Sequence, residues 1–297
     1  MALLSIITPI YNAEKTLQRT IDSIDSIHRE NQSKLEVIFI NDGSTDGSKA
    51  IVERLIASSP GYKAVLINQK NAGSAVARNE GLKKASGEWI FFLDADDELC
   101  LDLISRAEEY PEHSALAFTV RLWKQEKIVG QFKAQSINPA TRMDVFTSKN
   151  PFQPSCLLFK KAAVKTLFNP EFSFLEDWLF WTMNPDIFRQ ILAFPDIISA
   201  KIHIHGENKT GHYEKNGLFR ERVAEEIISS YQDGLSKKQK NNLLIQKYIG
   251  KIQQGEKISL AAFCAFPCGL VLYLKLVVYF VFAKTGRAVG PYSPALL

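Results

Sequence analysis

Cysteine is scarce in this sequence, and the spacing of the few that occur argues against two classes of protein. The 297 residues include only four cysteines, which are Cys100, Cys156, Cys264 and Cys268. They lack the paired CxxC spacing of a metal site and the density of a secreted disulfide scaffold. We therefore predict reduced thiols and a cytoplasmic protein.

Signals for export and for two common nucleotide-binding folds are missing as well. The opening stretch, Met1–Ile7, is apolar, but it has no basic segment and is cut short by Pro9 and Asn12. A signal peptide is therefore not expected. Neither GxGxxG nor GxxxxGKS/T occurs, so a dinucleotide-binding fold or a P-loop has no support.

Positive charge is unevenly distributed along the chain. The formal net charge is +4, and residues 212–297 carry 12 Lys/Arg against 6 Asp/Glu, whereas residues 1–211 carry 24 against 26. An excess confined to one end suggests that this end meets an anionic surface, either a membrane or a nucleic acid. The composition is otherwise that of a globular protein, with 46% hydrophobic and 23% charged residues.

Short apolar runs alternate with helical patterns in the N-terminal third. The runs are Leu3–Ile7, Val37–Ile40, Ala64–Ile67 and Trp89–Leu93. Between the first two, after a candidate helix cap at Asn12, apolar residues recur at helical spacing at Leu17, Ile21, Ile24 and Ile27. This alternation predicts an α/β fold with a mainly parallel central sheet flanked by helices.

Three acids, Asp94, Asp96 and Asp97, follow the last of these runs. The carboxyl edge of an open α/β sheet is where ligands bind. Three carboxylates within four positions repel one another unless a cation joins them, and oxygen ligands suit Mg²⁺ or Mn²⁺. The alternative is a solvated acidic turn that caps a helix at Leu99–Leu103.

Three further segments carry candidate site residues. Asp42 ends the second apolar run and is suited to accept hydrogen bonds from a nucleobase or ribose, unless Asp42 and Asp46 only build a turn and cap a helix. Arg78 follows a glycine turn and suits a diphosphate, unless it is an ordinary surface arginine. Glu176 and Asp177 have aromatic neighbours, and burial there would raise a carboxyl pKa and favour general-base chemistry.

Four segments occur in the order known from one enzyme family: Thr8-Pro9-Ile10-Tyr11-Asn12, Asn41-Asp42-Gly43-Ser44-Thr45-Asp46, Asp94-Ala95-Asp96-Asp97 and Glu176-Asp177. Each is short, but the four together are specific. Over roughly residues 3–215 the chain resembles the family-2 inverting glycosyltransferases of GT-A (Rossmann-like) fold, of the type that makes bacterial cell-surface polysaccharides.

The resemblance implies a role for each candidate residue. Pro9, Tyr11 and Asp42 would line the nucleoside pocket, with Arg78 at the diphosphate. Asp94 and Asp96 would face the ribose and the metal–diphosphate, and Asp97 would share in holding Mg²⁺ or Mn²⁺. Asp177 would be the catalytic base and Glu176 would place the acceptor or the base, although their division of labour stays open. His205 or Lys209 would touch phosphate or metal, unless His205 is an exposed histidine without a metal.

The implied reaction moves a sugar from a nucleotide-diphosphate-sugar, with UDP expected, to an acceptor hydroxyl of a glycan or lipid-linked saccharide. Residues 1–115 would be the nucleotide-sugar-binding half, and residues 116–215 the acceptor-binding half of the same domain. Residues 216–297 would be a basic helical extension, in which Val223, Ile227 and Tyr231 share a face.

The segment 258–283 is apolar and long enough to span a membrane. Pro267 divides it, Lys275 lies inside it, and a full span would export Lys284 and Arg287 against the positive-inside tendency. We therefore predict a shallow anchor that holds the protein peripherally on the inner face of the cell membrane. The alternative is a buried dimerisation or core helix.

The basic charge adjoins an apolar run rather than interleaved aromatics, so nucleic acid is not expected as a partner.

Two other functions remain open at this point. A haloacid-dehalogenase-type phosphotransferase also has an Asp-x-Asp signature after a strand, although that strand usually comes near the start of the domain. A membrane-associated interaction protein with an inactive glycosyltransferase fold is the non-enzymatic alternative. Against it, every carboxylate that the family pattern requires is present.

Overall fold

The computed structural model describes residues 2–27, 31–58, 60–205 and 212–256. The chain divides into two compact units, one formed by Met1–Arg142 and Phe152–Ile204 and the other by Met143–Pro151 and His205–Leu297. The domain boundaries expected from the sequence stay a prediction.

The first unit is built on a sheet with nine strands among the described residues. The strands are β1 (Leu4–Ile10), β2 (Leu35–Asp42), β3 (Lys63–Gln69), β4 (Trp89–Phe92), β5 (Glu98–Leu99), β6 (Ala115–Lys124), β7 (Lys127–Phe132), β8 (Leu157–Lys160) and β9 (Ile191–His203). The α-helices of the two units are α1 (Leu17–Ile27), α2 (Ser48–Ala57), α3 (Ser74–Lys84), α4 (Leu103–Glu109), α5 (Arg142–Ser148), α6 (Glu176–Met183), α7 (Tyr213–Tyr231) and α8 (Lys237–Gln253).

The strand order is β3-β2-β1-β4-β8-β6-β9-β5, with β7 paired to β6. The four strands from β3 to β4 are mutually parallel. Beyond them the pairing is mixed, because β8 is antiparallel to β4 and β6, whereas β6 and β9 are parallel. The predicted α/β fold with a parallel central sheet and flanking helices is confirmed.

All four predicted runs are strands, and burial explains the central ones. All eight residues of β2 are buried, as expected for a central parallel strand covered on both faces. The helical stripe is confirmed at Leu17, Ile21 and Ile24, which are at most 1% exposed. The expected cap at Asn12 is wrong, since α1 begins only at Leu17 and Asn12 adopts a left-handed conformation with φ 50°.

An aromatic cluster joins the sheet to α6. Phe168 stacks on Phe180 of α6 with ring centroids 4.0 Å apart, and both rings contact Phe92 of β4. Trp181 of α6 packs on Phe159 of β8 and donates a hydrogen bond to the Phe152 carbonyl. These contacts fix α6, which carries Glu176 and Asp177 in its first turn.

The second unit contains α7 and α8, which approach each other closely at two glycines. A Cβ atom added to Gly217 would lie 2.5 Å from the Gly250 carbonyl oxygen, and the reverse substitution meets the same distance. Val223 and Ile227 of α7 are buried. In the part of the chain that the structure describes, no helix is long and apolar enough to cross a membrane. The predicted anchor, 258–283, lies outside the described residues.

A buried carboxylate ties three strands together at the end of the sheet opposite the strand-end acids. Glu36 of β2 is 0% exposed and accepts hydrogen bonds from the Ser5 hydroxyl, the Ser86 amide and the Lys63 ammonium. Burial alone would raise the pKa of Glu36, but these hydrogen bonds outweigh it and lower the pKa below its ordinary value.

We expect Glu36→Gln to lower the free energy of unfolding at pH 7 by about 1–3 kcal/mol, because it removes a charged acceptor from a buried network. A depressed pKa in the folded state stabilises above the ordinary glutamate pKa, and that contribution is lost as pH falls through the folded value. The difference between wild type and variant, measured by urea unfolding, should therefore shrink in acid. Glu53→Gln, which alters an exposed pair with Lys49, is the control. An equal loss in both variants would contradict this role of Glu36.

Candidate functional site

The candidate site lies where parallel strands end. The strands β1, β2 and β4 run in the same direction, so Tyr11, Asp42 and Asp94 follow them at the same edge of the sheet. Pro9 is a half-buried residue of β1, and Tyr11 projects with 54% of its surface exposed. The sequence therefore placed these residues correctly on the fold, whereas their roles stay predictions.

The loops after β1 and β2 are joined by reciprocal hydrogen bonds. The Glu14 amide donates to Asp46 Oδ2 at 3.0 Å, and the Gly47 amide donates to Glu14 Oε2 at 3.0 Å. Asn12 Oδ1 accepts from the Thr45 amide at 2.9 Å, which gives this residue a role other than the predicted helix cap. The Ser48 amide donates to Asp46 Oδ1 at 3.0 Å, so Asp46 builds the turn, as one interpretation of the sequence proposed. The helix cap of that interpretation is wrong, since the cap position of α2 is Gly47 and no side chain caps it.

Asp42 holds the loop between β3 and α3. It is 4% exposed, and its Oδ1 accepts hydrogen bonds from Gln69 Nε2 at 2.7 Å and the Ala72 amide at 2.8 Å, while Oδ2 accepts from the Gly73 amide at 2.8 Å. The neighbouring Gly43 has φ +72°, and a Cβ atom there would lie 2.7 Å from the Asn71 backbone nitrogen. Asp42 therefore shapes the turn in addition to any contact with a nucleoside.

The acidic loop after β4 combines exposed and buried carboxylates. Asp94 has a side chain that is 41% exposed, Asp96 is half-buried, and Asp97 is 4% exposed. Burial, and then the negative charges of Asp96 and Asp94, raise the pKa of Asp97 well above its ordinary value. The backbone amide of His203 donates to Asp97 Oδ1 at 3.0 Å.

The chemistry of this donor set fits a hard divalent cation. A cation would relieve the repulsion that raises the pKa of Asp97, and Mg²⁺-type ions take one or two carboxylates together with substrate phosphates. No cluster of three or more His, Cys, Asp or Glu side chains with metal-binding geometry occurs in residues 2–27, 31–58, 60–205 and 212–256.

Thr16 and one face of α1, which follows it, brace the backbone of the acidic loop, a contact that the sequence did not predict. Three side chains donate to three consecutive carbonyl oxygens: Thr16 Oγ1 to Ala95 at 3.0 Å, Arg19 Nη2 to Asp96 at 2.7 Å and Thr20 Oγ1 to Asp97 at 2.7 Å. The only signal in the sequence is that Thr16, Arg19 and Thr20 have the i, i+3, i+4 spacing of one helix face.

The acidic loop does not cap the following helix. Helix α4 begins at Leu103 and is capped by Asp102, whose side chain accepts hydrogen bonds from the Ile104 and Ser105 amides. The alternative in which the three acids serve only as a helix cap is therefore wrong, and a helix at Leu99–Leu103 does not form.

Arg78 joins the acidic loop to α6. Its Nη2 lies 2.8 Å from Asp94 Oδ1 and its Nη1 lies 2.9 Å from Glu176 Oε1. Glu176 Oε1 also accepts a hydrogen bond from Ser74 Oγ at 2.6 Å. Burial opposes the charge of this guanidinium, but Asp94 and Glu176, and then Asp177, outweigh it and raise its pKa above the ordinary value. Arg78 is 4% exposed, so it is not a surface arginine.

Asp177 lies at the same junction. It is 8% exposed, its Oδ1 accepts a hydrogen bond from the Trp178 amide at 2.9 Å, and it is close enough to Arg78 to affect its pKa. The preceding Leu175 has a left-handed φ of 57°, which is uncommon for a branched side chain and often marks a functional turn. The structure therefore brings Asp94, Glu176 and Asp177 together around the guanidinium of Arg78.

Two downstream candidates, His205 and Lys209, stay predictions. His205 belongs to the second unit, where it is exposed, and its role as a metal ligand stays a prediction. Lys209 lies outside the described residues.

Comparisons with known proteins agree on one family. Residues 5–168 match the family model described as Glycosyl transferase family 2. An uncharacterized glycosyltransferase of Haemophilus influenzae is 31% identical over 183 residues, which cover 61% of this chain and 71% of that protein. The putative teichuronic acid biosynthesis glycosyltransferase TuaG of Bacillus subtilis is 32% identical over 117 residues, or 39% of this chain and 45% of TuaG. The chain spans 14–32% of three other curated relatives.

Solved structures show the same fold. S. aureus TarS 1-349 in complex with UDP-GlcNAc has a TM-score of 0.64 and 21% identity, covering 85% of this chain and 73% of that chain. The mannosyltransferase PcManGT from Pyrobaculum calidifontis, in complex with GDP-Man and Mn²⁺, has a TM-score of 0.62 and 19% identity, covering 99% and 85%. At this identity the likeness concerns the fold alone, and the predicted GT-A fold is confirmed.

The brace on the acidic loop predicts a stability difference between two hydroxyls of α1. Thr20→Val keeps the shape of a fully buried side chain but leaves the Asp97 carbonyl without its donor, so we expect the free energy of unfolding to fall by about 1–3 kcal/mol. Ser26→Ala removes an exposed hydroxyl that donates to the Ser23 carbonyl and should cost less than about 0.5 kcal/mol. Denaturant unfolding measures both, and equal values would show that the brace contributes nothing.

Proposed function

This chain belongs to glycosyl transferase family 2, and on that premise we propose that it transfers a sugar from a nucleotide-diphosphate-sugar to an acceptor hydroxyl with inversion at the anomeric carbon. One observation carries the proposal: Asp94, at the donor side, and the Glu176–Asp177 pair converge on the buried Arg78. A donor-side carboxylate and a candidate base therefore lie at one junction, as a single displacement requires.

The donor is proposed to be a UDP-sugar. TarS was solved with UDP-GlcNAc and PcManGT with GDP-Man, which supports a nucleotide-sugar as the donor class. The exposed ring of Tyr11 offers a surface on which a base can stack, and Pro9 lies two residues before it. The lacing of Asn12 and Glu14 to the loop after β2 holds this edge in place.

A divalent cation, Mg²⁺ or Mn²⁺, is proposed to be held by Asp96 and Asp97, with His205 as a further candidate ligand. The Mn²⁺ complex of PcManGT supports this class of cofactor. When bound, the ion would act as a Lewis acid that stabilises the charge developing on the departing diphosphate. The hydrogen bonds from α1 to the loop carbonyls would keep Asp96 and Asp97 in position.

The base is proposed to be Asp177. Its carboxylate would take the proton from the acceptor hydroxyl while that oxygen attacks the anomeric carbon and the nucleoside diphosphate leaves. Because attack and departure occur on opposite faces of the sugar, a single step inverts the configuration. The buried surroundings of Asp177 exclude bulk water that would otherwise compete as the acceptor.

The acceptor is proposed to be a glycan or lipid-linked saccharide in bacterial surface polysaccharide synthesis. The likeness to TuaG, which carries a teichuronic acid biosynthesis assignment of its own, supports this class. Membership of the family removes the phosphotransferase alternative. The inactive interaction protein is the remaining alternative, and detection of sugar transfer by the wild-type protein would exclude it.

We propose that the apolar segment 258–283 anchors the protein peripherally to the inner face of the cell membrane. The full chain should sediment with membranes, whereas a chain ending at residue 256 should stay in the supernatant, because burial of apolar side chains drives such binding. Equal membrane partition of the two would refute the anchor. If size-exclusion chromatography instead shows that truncation turns a dimer into a monomer without a change in partition, the dimerisation helix is correct.

Base and metal-side variants should fail in different ways. Asp177→Asn should keep the thermal stabilisation by nucleotide-sugar with Mn²⁺ but lose about 10²–10⁴-fold in kcat. Asp96→Asn should lose the Mn²⁺-dependent part of that stabilisation. For wild type, the whole stabilisation by the nucleotide-sugar amounts to about 2.7 kcal/mol when the free ligand is at 100 times its Kd.

A screen of nucleotide-sugars by thermal shift, with and without Mn²⁺, comes first and identifies the donor. Asp196→Asn, which changes an exposed carboxylate of β9, is the control for both variants and should behave as wild type. Normal turnover by Asp177→Asn would contradict the base assignment. Donor binding without any turnover in wild type would favour the inactive protein.

A further inference from the structure

Arg78 occupies an unusual position between two structural elements that are far apart in sequence. Asp94 follows β4 and Glu176 begins α6, so the guanidinium bridges residues 16 and 98 positions away. Ser74, one turn before Arg78 on α3, donates to the same Glu176 oxygen. Two side chains of α3 therefore fix one carboxylate of α6.

The guanidinium has little freedom to leave this position. It lies 5.8 Å from the ring centroid of Phe92 and 5.7 Å from that of Phe168, within the range of cation–π contacts. The next residue, Asn79, donates to the Phe168 carbonyl and accepts from the Phe168 amide, both at 2.8 Å. Phe168 in turn stacks on Phe180, one helical turn after Glu176.

Glu176 is held differently from its neighbour. Its Oε1 accepts hydrogen bonds from both Arg78 and Ser74, so two donors hold this carboxylate in one position. Asp177 follows at once in the first turn of α6, after the left-handed Leu175. Any shift of Glu176 would therefore move Asp177, because the two share one turn of helix.

We propose that Arg78 is a positioning residue that acts through Glu176: it holds the first turn of α6 against Asp94 and thereby sets the distance between the base and the donor. This inference rests on the proposed function, in which Asp177 is the base. It assigns Glu176 to placing the base, and it replaces a direct contact of Arg78 with the diphosphate.

The proposal predicts a specific kinetic pattern. Arg78→Lys keeps the charge but cannot bridge both carboxylates with a planar fork, so kcat should fall about 10–100-fold, as for a small misplacement of a reacting group. The KM for the donor should stay within about threefold of the wild-type value. The thermal shift that donor binding causes should change as little. Glu176→Gln keeps an acceptor oxygen and should lose less than Asp177→Asn.

A double-mutant cycle separates positioning from a general structural role. If Arg78 acts through Glu176, the loss of kcat in Arg78→Lys/Glu176→Gln should be smaller than the product of the two single losses. Additive losses would overturn the proposal. So would a weakened donor thermal shift in Arg78→Lys at unchanged kcat, because that result would make Arg78 a donor ligand. Greater loss in Glu176→Gln than in Asp177→Asn would make Glu176 the base.

Hydrogen exchange provides a readout that does not need turnover. Arg78→Lys should raise amide exchange of peptides from the first turn of α6 about tenfold, while peptides from β2 stay protected as in wild type. Arg106→Lys, which alters an exposed pair with Glu109, is the matched control and should change neither exchange nor kcat. Unchanged exchange in α6 would overturn the proposal. Absence of sugar transfer by wild type would refute only the proposed function, since the exchange result stands by itself.

Discussion

A guanidinium that leaves water needs counter-charges and hydrogen-bond acceptors, because the desolvation of an unpaired ion costs several kcal/mol. Arg78 finds both in Asp94 and Glu176, and two aromatic rings lie within cation–π range of it. One carboxylate belongs to the sheet edge and the other to α6. The two ion pairs of Arg78 therefore fix the position of α6 relative to that edge. The arrangement of the candidate base depends on it.

The acidic loop at the end of β4 holds three like charges close together. Burial, and then repulsion from Asp96 and Asp94, raises the pKa of Asp97. Hydrogen bonds from Thr16 and from α1 hold the backbone of this loop in spite of the repulsion. Charges that are kept in place before a ligand arrives would suit the divalent cation proposed above.

Local patterns were sufficient for the parts of the fold that depend on neighbours in sequence. The apolar runs predicted β1 to β4, and in β1, β2 and β4 they reflect burial on both faces of the sheet. The strand β3, at the end of the strand order, is mostly half-buried. The acids after β2 and β4 followed from those strands, since parallel strands end at one edge. Asn12 was the exception, because its side chain bonds to Thr45 across 33 positions, and no local rule contains that contact.

The sequence by itself determined the α/β fold, the family and the identity of the strand-end acids, because periodicity and short motifs are properties of contiguous residues. Only the tertiary structure decided that Arg78 is buried between two acids, that α1 braces the acidic loop and that Glu176 is held by two donors. Apart from the Arg78–Asp94 pair, which spans 16 positions, these contacts join residues 77 to 102 positions apart. Burial and partner choice over such separations arise from packing, which a linear pattern does not encode.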